Sequence, residues 1–304
     1  MKNNIIMVPY ANDKFMCGGV NVDEKKRFDI YMKNCCVALL SAKKHNIDVD
    51  VALVTNIEVP AEYRTILENN NILIINVEFE TFRFPNDYKW GLAFYKLCAL
   101  KYVVENYDYE FYAYLDADVY IQSDFNLIWK ECEQNILLYD INHGLQVRDY
   151  KMFLEDVNKF TKSDKMITQY GGEFFAASRV AATQFITECY EIFNKMQTEK
   201  FYTRFGDEFI LSLVAYKNRD KVKNAGAYIF RFWTGSFRLV STSYMFNPIA
   251  VIHVPDEKNC GIIKIYKYFT NKKKLPCIDR VYSTLHLKRR RIKTIIKSIL
   301  LRCY

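Results

Sequence analysis

The sequence predicts an α/β fold in which helices flank a mixed, mostly parallel sheet. Strand-like and helix-like patterns alternate through about the first 120 residues, which is typical of parallel strands joined by crossover helices. The fourth strand pattern, Phe111–Leu115, is followed by Asp116 and Asp118, and α/β folds keep their ligand crevices at the carboxyl ends of strands. No Pro-, Gly- or Ser-rich break divides the chain, so we expect one continuous domain.

The elements are predicted in chain order from local patterns. An apolar run at 4–8 predicts the first strand, and a long helix is expected at 23–45. Pro60 is expected to open a short helix because proline suits the first helical turn. The other predicted elements are strands at 49–54 and 72–77, a helix at 91–105, the strand at 111–115, helices at 178–196 and 207–215, and a strand at 249–253.

The composition excludes several classes of protein. Half of the 304 residues are hydrophobic, which predicts a packed globular core. Nine cysteines, with no CxxC pair, argue against a disulfide framework or a zinc site and favour a reducing compartment. The N-terminal apolar run is too short for a signal peptide or membrane anchor, so we expect a cytoplasmic protein. No GxGxxG or GxxxxGK[ST] loop occurs, which argues against dinucleotide dehydrogenases and P-loop enzymes.

The strongest candidate for chemistry is the pair Asp116 and Asp118. Side chains two positions apart along a strand point the same way, so these carboxylates converge. They repel each other unless a positive charge lies between them. Because Mg²⁺ and Mn²⁺ prefer oxygen ligands and often share them with phosphates, the pair predicts a divalent cation carrying a diphosphate. A solvated turn after a buried strand is the alternative.

Four features follow one another along the chain: Asp116-x-Asp118, Gly171-Gly172, Asp207-Glu208 and His253. This order resembles the retaining glycosyltransferases of the GT-A fold and is similar to families 8 and 6, the latter including the blood-group transferases. Leu115-Asp116-Ala117-Asp118 matches the family 8 form Leu-Asp-x-Asp. The resemblance covers roughly residues 1–270. It implies a Rossmann-like GT-A domain at 1–275, with a nucleotide-sugar-binding half up to about residue 120 and an acceptor-binding half at 121–275.

For the donor, the resemblance implies that Asp116 and Asp118 hold Mn²⁺ or Mg²⁺ on the diphosphate of a UDP-sugar. His253 is then the third metal ligand, and Asp116 also lies near the ribose. The ion neutralises the charge on the departing nucleoside diphosphate. Lys96 stands where these families place a basic residue that reaches the donor. A solvated helix position for Lys96 and a core histidine for His253 remain alternatives. The other candidates for the nucleotide are Pro9, Tyr10, Asn12 and Lys264.

For the sugars, the Asp207-Glu208 pair resembles the family 6 pair whose glutamate is the proposed nucleophile. Family 8 has Asp-Gln-Asp here, so Glu208 favours family 6 chemistry, in which a carboxylate attacks the anomeric carbon or stabilises an oxocarbenium ion. The alternative is a carboxylate pair favoured by a helix N-terminus. The sugar-pocket candidates are Gly171, Gly172, Glu173 and Trp233, although a turn or bulge would explain the glycines and a core cluster would explain the tryptophan.

The C-terminal segment 284–304 is predicted to be a basic amphipathic helix. Of the net charge of +8, seven charges lie within 288–304, leaving about +1 for the body; this argues against nucleic acid as a partner. The apolar residues form a helical stripe: Ile292, Ile295, Ile296, Ile299, Leu300 and Cys303. Such a helix lies in the plane of an anionic membrane. Docking on the body or on another protein is the alternative.

Together, these features predict a glycosyltransferase that moves a hexose or N-acetylhexosamine from a UDP-sugar, with retention. The expected acceptor is a lipid-linked glycan at the cytoplasmic face of a bacterial membrane, in surface polysaccharide synthesis. One rival is a non-catalytic, membrane-associated nucleotide-sugar-binding protein. Another is a haloacid-dehalogenase-like phosphatase, but its Asp-x-Asp follows the first strand, whereas three β/α units come first here. Such a phosphatase also has a later pair of aspartates four residues apart. Here Leu211, not an aspartate, lies four residues after Asp207.

Overall fold

The computed structural model describes residues 4–13, 24–86, 88–142, 147–234 and 249–287. The strands are β1 (Asn4–Tyr10), β2 (Asp50–Thr55), β3 (Leu73–Asn76), β4 (Phe111–Leu115), β5 (Val119–Ile121), β6 (Ile136–Asp140), β7 (Tyr170–Ser178), β8 (Val222–Asn224), β9 (Ile229–Arg231) and β10 (Val251–His253). The helices are α1 (Glu24–His45), α2 (Ala61–Glu68), α3 (Tyr95–Asn106), α4 (Leu127–Cys132), α5 (Val147–Thr161), α6 (Arg179–Thr198), α7 (Asp207–Lys217), α8 (Gly261–Lys272) and α9 (Ile278–Thr284).

The main sheet has seven strands in the order β3-β2-β1-β4-β7-β6-β8. Strands β3, β2, β1 and β4 run parallel to one another, whereas β7 is antiparallel to both β4 and β6. A smaller sheet has the order β5-β10-β9. The predicted α/β class with a mixed, mostly parallel sheet is confirmed. Because the four parallel strands share a direction, their carboxyl ends meet at one edge.

Helices cover both faces of the main sheet, so its central strands are almost entirely apolar. Side chains alternate along β1: Ile6 and Val8 pack in one core cluster with α1 and α8. Ile5 and Met7 pack in a second cluster with α3, α6 and α7. All five residues of β4 are buried. This strand is therefore fixed on both sides, and it fixes the start of the segment that follows it.

The elements predicted before Asp116 all occur, with small changes in their bounds. The predicted helix at 91–105 begins as a short 3₁₀ turn, Gly91–Phe94, that leads into α3. The predicted strand at 249–253 is shorter and begins at Val251. Of the predicted C-terminal helix at 284–304, residues 288–304 lie outside the described residues, and α9 ends at Thr284. No helix within the described ranges combines the length and apolar character that crossing a membrane requires.

Candidate functional site

The two sheets meet where β4 ends and β5 begins, and this junction brings the predicted aspartates and histidine together. In the small sheet β10 is antiparallel to β5, with His253 opposite Val119. The backbone N–H of Val254 donates to the carbonyl of Asp118 at 3.0 Å. In the main sheet the N–H of Asp116 donates to the carbonyl of Glu173 at 3.1 Å. Backbone pairing therefore sets the positions of all four side chains.

Asp116, Asp118 and His253 form a compact group of possible metal ligands. One ligand atom from each lies within 4.8 Å of the others. Asp118 and His253 are buried, and Asp116 is half-buried. Metal–oxygen bonds of about 2.1 Å place ligand atoms no more than about 4.2 Å apart, so a small contraction of the group would fit a divalent cation. Two carboxylates and an imidazole suit Mn²⁺.

Glu173 holds the other side of His253. Its Oε1 lies 3.3 Å from His253 Nδ1, and both its oxygens accept from Arg231, at 2.7 Å each. A carboxylate on Nδ1 fixes the orientation of the ring, and on its other side Nε2 lies 3.2 Å from Asp118 Oδ2. The sequence suggested Glu173 for the sugar pocket. In the structure its buried carboxylate is enclosed by Arg231 and His253.

These contacts shift the pKa values of the buried groups strongly. Burial would lower the pKa of His253, but Asp118 and Glu173 outweigh it and raise that pKa to about 9. Burial would raise the pKa of Asp118, but Lys258 and His253 hold it well below its usual range. The pKa of Glu173 is held low in the same way by Arg231 and His253. Without a metal, the cluster is therefore a set of ion pairs at neutral pH.

Lys258 is a site residue that the sequence reading missed. Its Nζ lies 3.0 Å from Asp118 Oδ2 and 5.9 Å from the ring centre of Tyr31. Tyr31 in turn stacks on Tyr10 at 5.6 Å between ring centres. The predicted nucleotide residue Tyr10 is thus linked to Asp118 through two intervening side chains. Lys264, which the sequence suggested for phosphate, is exposed on α8.

The other two nucleotide candidates lie at the same end of β1. Pro9 pairs with Val54 of β2. Just beyond the strand, Asn12 exchanges two hydrogen bonds with the side chain of Asn56, each of 3.0 Å. The ends of β1, β2 and β4 therefore form one continuous edge from Asn12 to the aspartates.

Lys96 crosses from α3 to the carboxyl end of β4. Its Nζ lies 3.1 Å from Asp116 Oδ1 and 3.0 Å from Asp207 Oδ2, and it donates to the carbonyl of Gly172 at 2.8 Å. Burial would lower the pKa of Lys96, but Asp116 and Asp207 raise it well above its usual value. Lys96 is therefore a permanent cation that joins the aspartate pair to the start of α7.

The glycine pair lies in strand β7, where the pairing with β6 shifts register between Leu138 and Tyr139. A β-carbon on Gly171 would lie 1.9 Å from Glu173 Oε2. A β-carbon on Gly172 would lie 2.1 Å from Asp207 Oδ2 and 2.6 Å from Lys96 Nζ. Glycine is needed here because the ion pairs pass directly over the strand.

Glu208 differs from the other carboxylates of the site. Its Oε2 accepts from Gln169 Nε2 at 2.9 Å, and its Oε1 is 3.6 Å from Arg231 Nη2. Burial raises its pKa to about 7, although Arg231 opposes the shift. Its side chain is 22% exposed. Glu208 is thus a reachable carboxylate with a pKa near neutrality.

The neighbours of Glu208 complete this side of the site. Gly206, just before α7, has a φ of 62°, a left-handed conformation that favours glycine. Asp207 is buried, and burial raises its pKa although Lys96 opposes the shift. The ring of Trp233 lies 5.8 Å from the Arg231 guanidinium, a distance at which cation–π attraction operates. Trp233 is therefore connected to Glu208 through Arg231.

Arg231, Lys258 and Gln169 were not singled out from the sequence. Arg231 lies two residues before Trp233 and Lys258 five residues after His253, so proximity to the candidates was the available signal. No protein-family model matches this sequence, and no curated protein matches it. The function therefore has to be inferred from the site itself.

Replacing Gly172 by alanine should destabilise the protein. The added β-carbon displaces Asp207 from Lys96 and leaves buried charges poorly paired, which should cost about 2–4 kcal/mol of folding free energy. Gly226→Ala is the matched control, since its β-carbon comes no closer than 3.3 Å to Asn224 Oδ1. Denaturant unfolding measures both; equal stabilities of the two variants would contradict the packing account.

The pKa of Glu208 predicts a pH-dependent stability. Between the ordinary value of 4.5 and about 7, the folded protein retains a proton that the unfolded chain has lost. The unfolding free energy of wild type therefore falls relative to that of Glu208→Gln as pH rises through this window. Above about pH 7 the difference between the two proteins is constant. We expect a final gap of about 1–2 kcal/mol, because partial exposure reduces the full effect. Urea unfolding in metal-free buffers measures this difference at each pH. If the unfolding free energies of the two proteins change with pH in parallel, Glu208 does not have a raised pKa in the folded state.

Proposed function

We propose that the protein is a metal-dependent glycosyltransferase of the GT-A type that uses a UDP-sugar as donor. The observation that carries this proposal is the Asp116, Asp118 and His253 group, which lies at the carboxyl edge of the parallel strands with Glu208 beyond it. This edge is where α/β folds bind nucleotides. The group offers the hard ligands that a diphosphate-bound Mn²⁺ or Mg²⁺ prefers.

On the donor side, Asp116, Asp118 and His253 would hold the divalent cation. When bound, it supplies Lewis-acid stabilisation of the departing UDP. The residues of this chain provide the rest of the donor site. Lys96 fixes Asp116, and Lys258 adds a cation beside Asp118, which favours the approach of an anionic donor. The uracil would lie near Pro9, Tyr10 and Asn12.

On the sugar side, Glu208 is the proposed catalytic carboxylate. Its position is fixed by Gln169 and Arg231, and with a pKa of about 7 it is partly ionised at neutral pH. The anionic form can displace UDP from the anomeric carbon, after which the acceptor hydroxyl displaces Glu208. Alternatively, it can stabilise an oxocarbenium ion while the acceptor attacks from the face that UDP leaves; both routes retain configuration. Asp207 is held by Lys96, so we give it a positioning role. Trp233 offers a ring for the acceptor sugar.

The decisive experiment is donor hydrolysis across a panel of nucleotide-sugars with Mn²⁺. Wild type should release UDP from one donor, and EDTA should stop the release. Asp118→Asn should remove metal-dependent UDP binding as well as turnover, because the cation loses a charged ligand. Glu208→Gln should keep UDP and Mn²⁺ binding but lower turnover at least about 100-fold, since it touches only the sugar step.

Each of these results can contradict a part of the proposal. Unchanged UDP affinity in Asp118→Asn would remove Asp118 from the metal site. Near-wild-type turnover of Glu208→Gln would clear Glu208 of a catalytic role. Silence of wild type across the whole panel, together with UDP binding, would support the non-catalytic binding protein instead.

We also propose that residues 288–304, which hold seven basic residues and no acidic one, bind the enzyme to an anionic membrane where a lipid-linked acceptor lies, at the cytoplasmic face. Each basic residue near such a surface contributes about 1 kcal/mol. Deleting 288–304 should abolish co-sedimentation with vesicles rich in phosphatidylglycerol while leaving UDP binding intact. Vesicles of phosphatidylcholine alone are the control; a deletion variant that still sediments with anionic lipid would refute the role of this segment.

A further inference from the structure

One oxygen atom of Asp118 is contacted by two side chains of the protein, those of Lys258 and His253. Lys258 Nζ lies 3.0 Å from Asp118 Oδ2, and His253 Nε2 lies 3.2 Å from the same atom. Asp118 is buried, with only 2% of its surface exposed. A buried carboxylate that lacks a counter-charge is strongly destabilising. The Lys258 ammonium therefore does for Asp118 what a bound divalent cation would do.

The surroundings of Lys258 allow its amino group to move while its backbone stays in place. The side-chain amide of buried Asn34, on α1, donates to the backbone carbonyl of Lys258 at 3.0 Å. The lysine side chain is 24% exposed and has a flexible four-carbon stem. The face of Tyr31, 5.9 Å from Nζ, offers the ammonium a second partner.

We propose that Lys258 is an internal counter-ion for Asp118, and that a divalent cation binds at this site by displacing its ammonium group. This inference rests on the metal site of the proposed function. It implies that the metal-free protein keeps Asp118 neutralised, and that the metal must compete with an intramolecular cation. It also implies that the displaced ammonium becomes available to an anionic ligand, so that the metal and a diphosphate strengthen each other's binding.

The test compares Mn²⁺ binding by wild type and Lys258→Met using calorimetry. Removing the competing cation should tighten Mn²⁺ binding about tenfold. It should also lower the Tm of the metal-free protein, so that saturating Mn²⁺ raises the Tm of the variant more than that of wild type. Lys223→Met is the control, because Lys223, on β8, pairs with Glu131 at a similar distance of 3.1 Å but on the exposed surface. We expect that control to bind Mn²⁺ like wild type.

If Lys258 merely supported the fold, its replacement would not tighten Mn²⁺ binding. A folded Lys258→Met protein that binds Mn²⁺ as wild type does, or more weakly, would overturn the exchange. If wild type itself binds no Mn²⁺, the proposed metal site fails, and that result is read from wild type alone. The two failures are therefore distinguishable.

A second measurement needs no variant at Lys258. In wild type, acetylation of Lys258 by an N-hydroxysuccinimide ester, mapped by mass spectrometry, should be slow without metal because Asp118 holds the ammonium. Saturating Mn²⁺ should increase labelling of Lys258 several-fold and leave Lys223 unchanged. Labelling of Lys258 that does not respond to bound Mn²⁺ would overturn the proposal even if Lys258→Met failed to fold.

Discussion

The structure around the site depends on one electrostatic constraint: carboxylates enclosed at the edge of the sheet need cations beside them. The five carboxylates are Asp116, Asp118, Glu173, Asp207 and Glu208, and the four cations are Lys96, Arg231, His253 and Lys258. Three of the cations each contact two carboxylates. Removing one partner of such a buried pair costs several kcal/mol, because the remaining charge is left without compensation. Because most of these cations are shared between two carboxylates, replacing one residue would leave several others without a counter-charge.

This network also joins parts of the fold that share few backbone contacts. Lys96 connects α3 to α7, and Arg231 connects β9 to β7 and α7. His253 connects β10 of the small sheet to Asp118, between β4 and β5, and to Glu173 on β7 of the main sheet. The glycines at 171 and 172 leave the space through which these contacts pass. The ion pairs therefore require both the strand pairing that positions their side chains and the two glycines that leave room for them.

The first half of the fold was predictable because its parallel strands and helices carry local patterns, and β4 has the predicted bounds. The second half was harder to predict. Strands β5, β8, β9 and β10 have three residues each, which is too short for a periodic signal. Strand β7 begins with Tyr170, Gly171 and Gly172, which suggest a turn, and it is a strand only because β4 and β6 pair with it. Helix α5 did carry a signal that was overlooked, the spacing of Phe153, Val157 and Phe160. Asp116, Asp118 and His253 could be singled out because they lie at the ends of strand patterns, whereas Arg231 and Lys258 reach them through contacts that no spacing in the sequence encodes.

The pairing of β10 with β5 has a consequence for how this chain can change in evolution. A slip of one residue would put Ile252 or Val254 in place of His253 and leave Asp118 and Glu173 beside an apolar side chain. The ion pairs of His253 therefore favour the native register over the slipped one. Natural selection for folding alone would preserve these residues. The presence of the same residues in a distantly related sequence would therefore indicate a shared fold, and activity would have to be assayed separately.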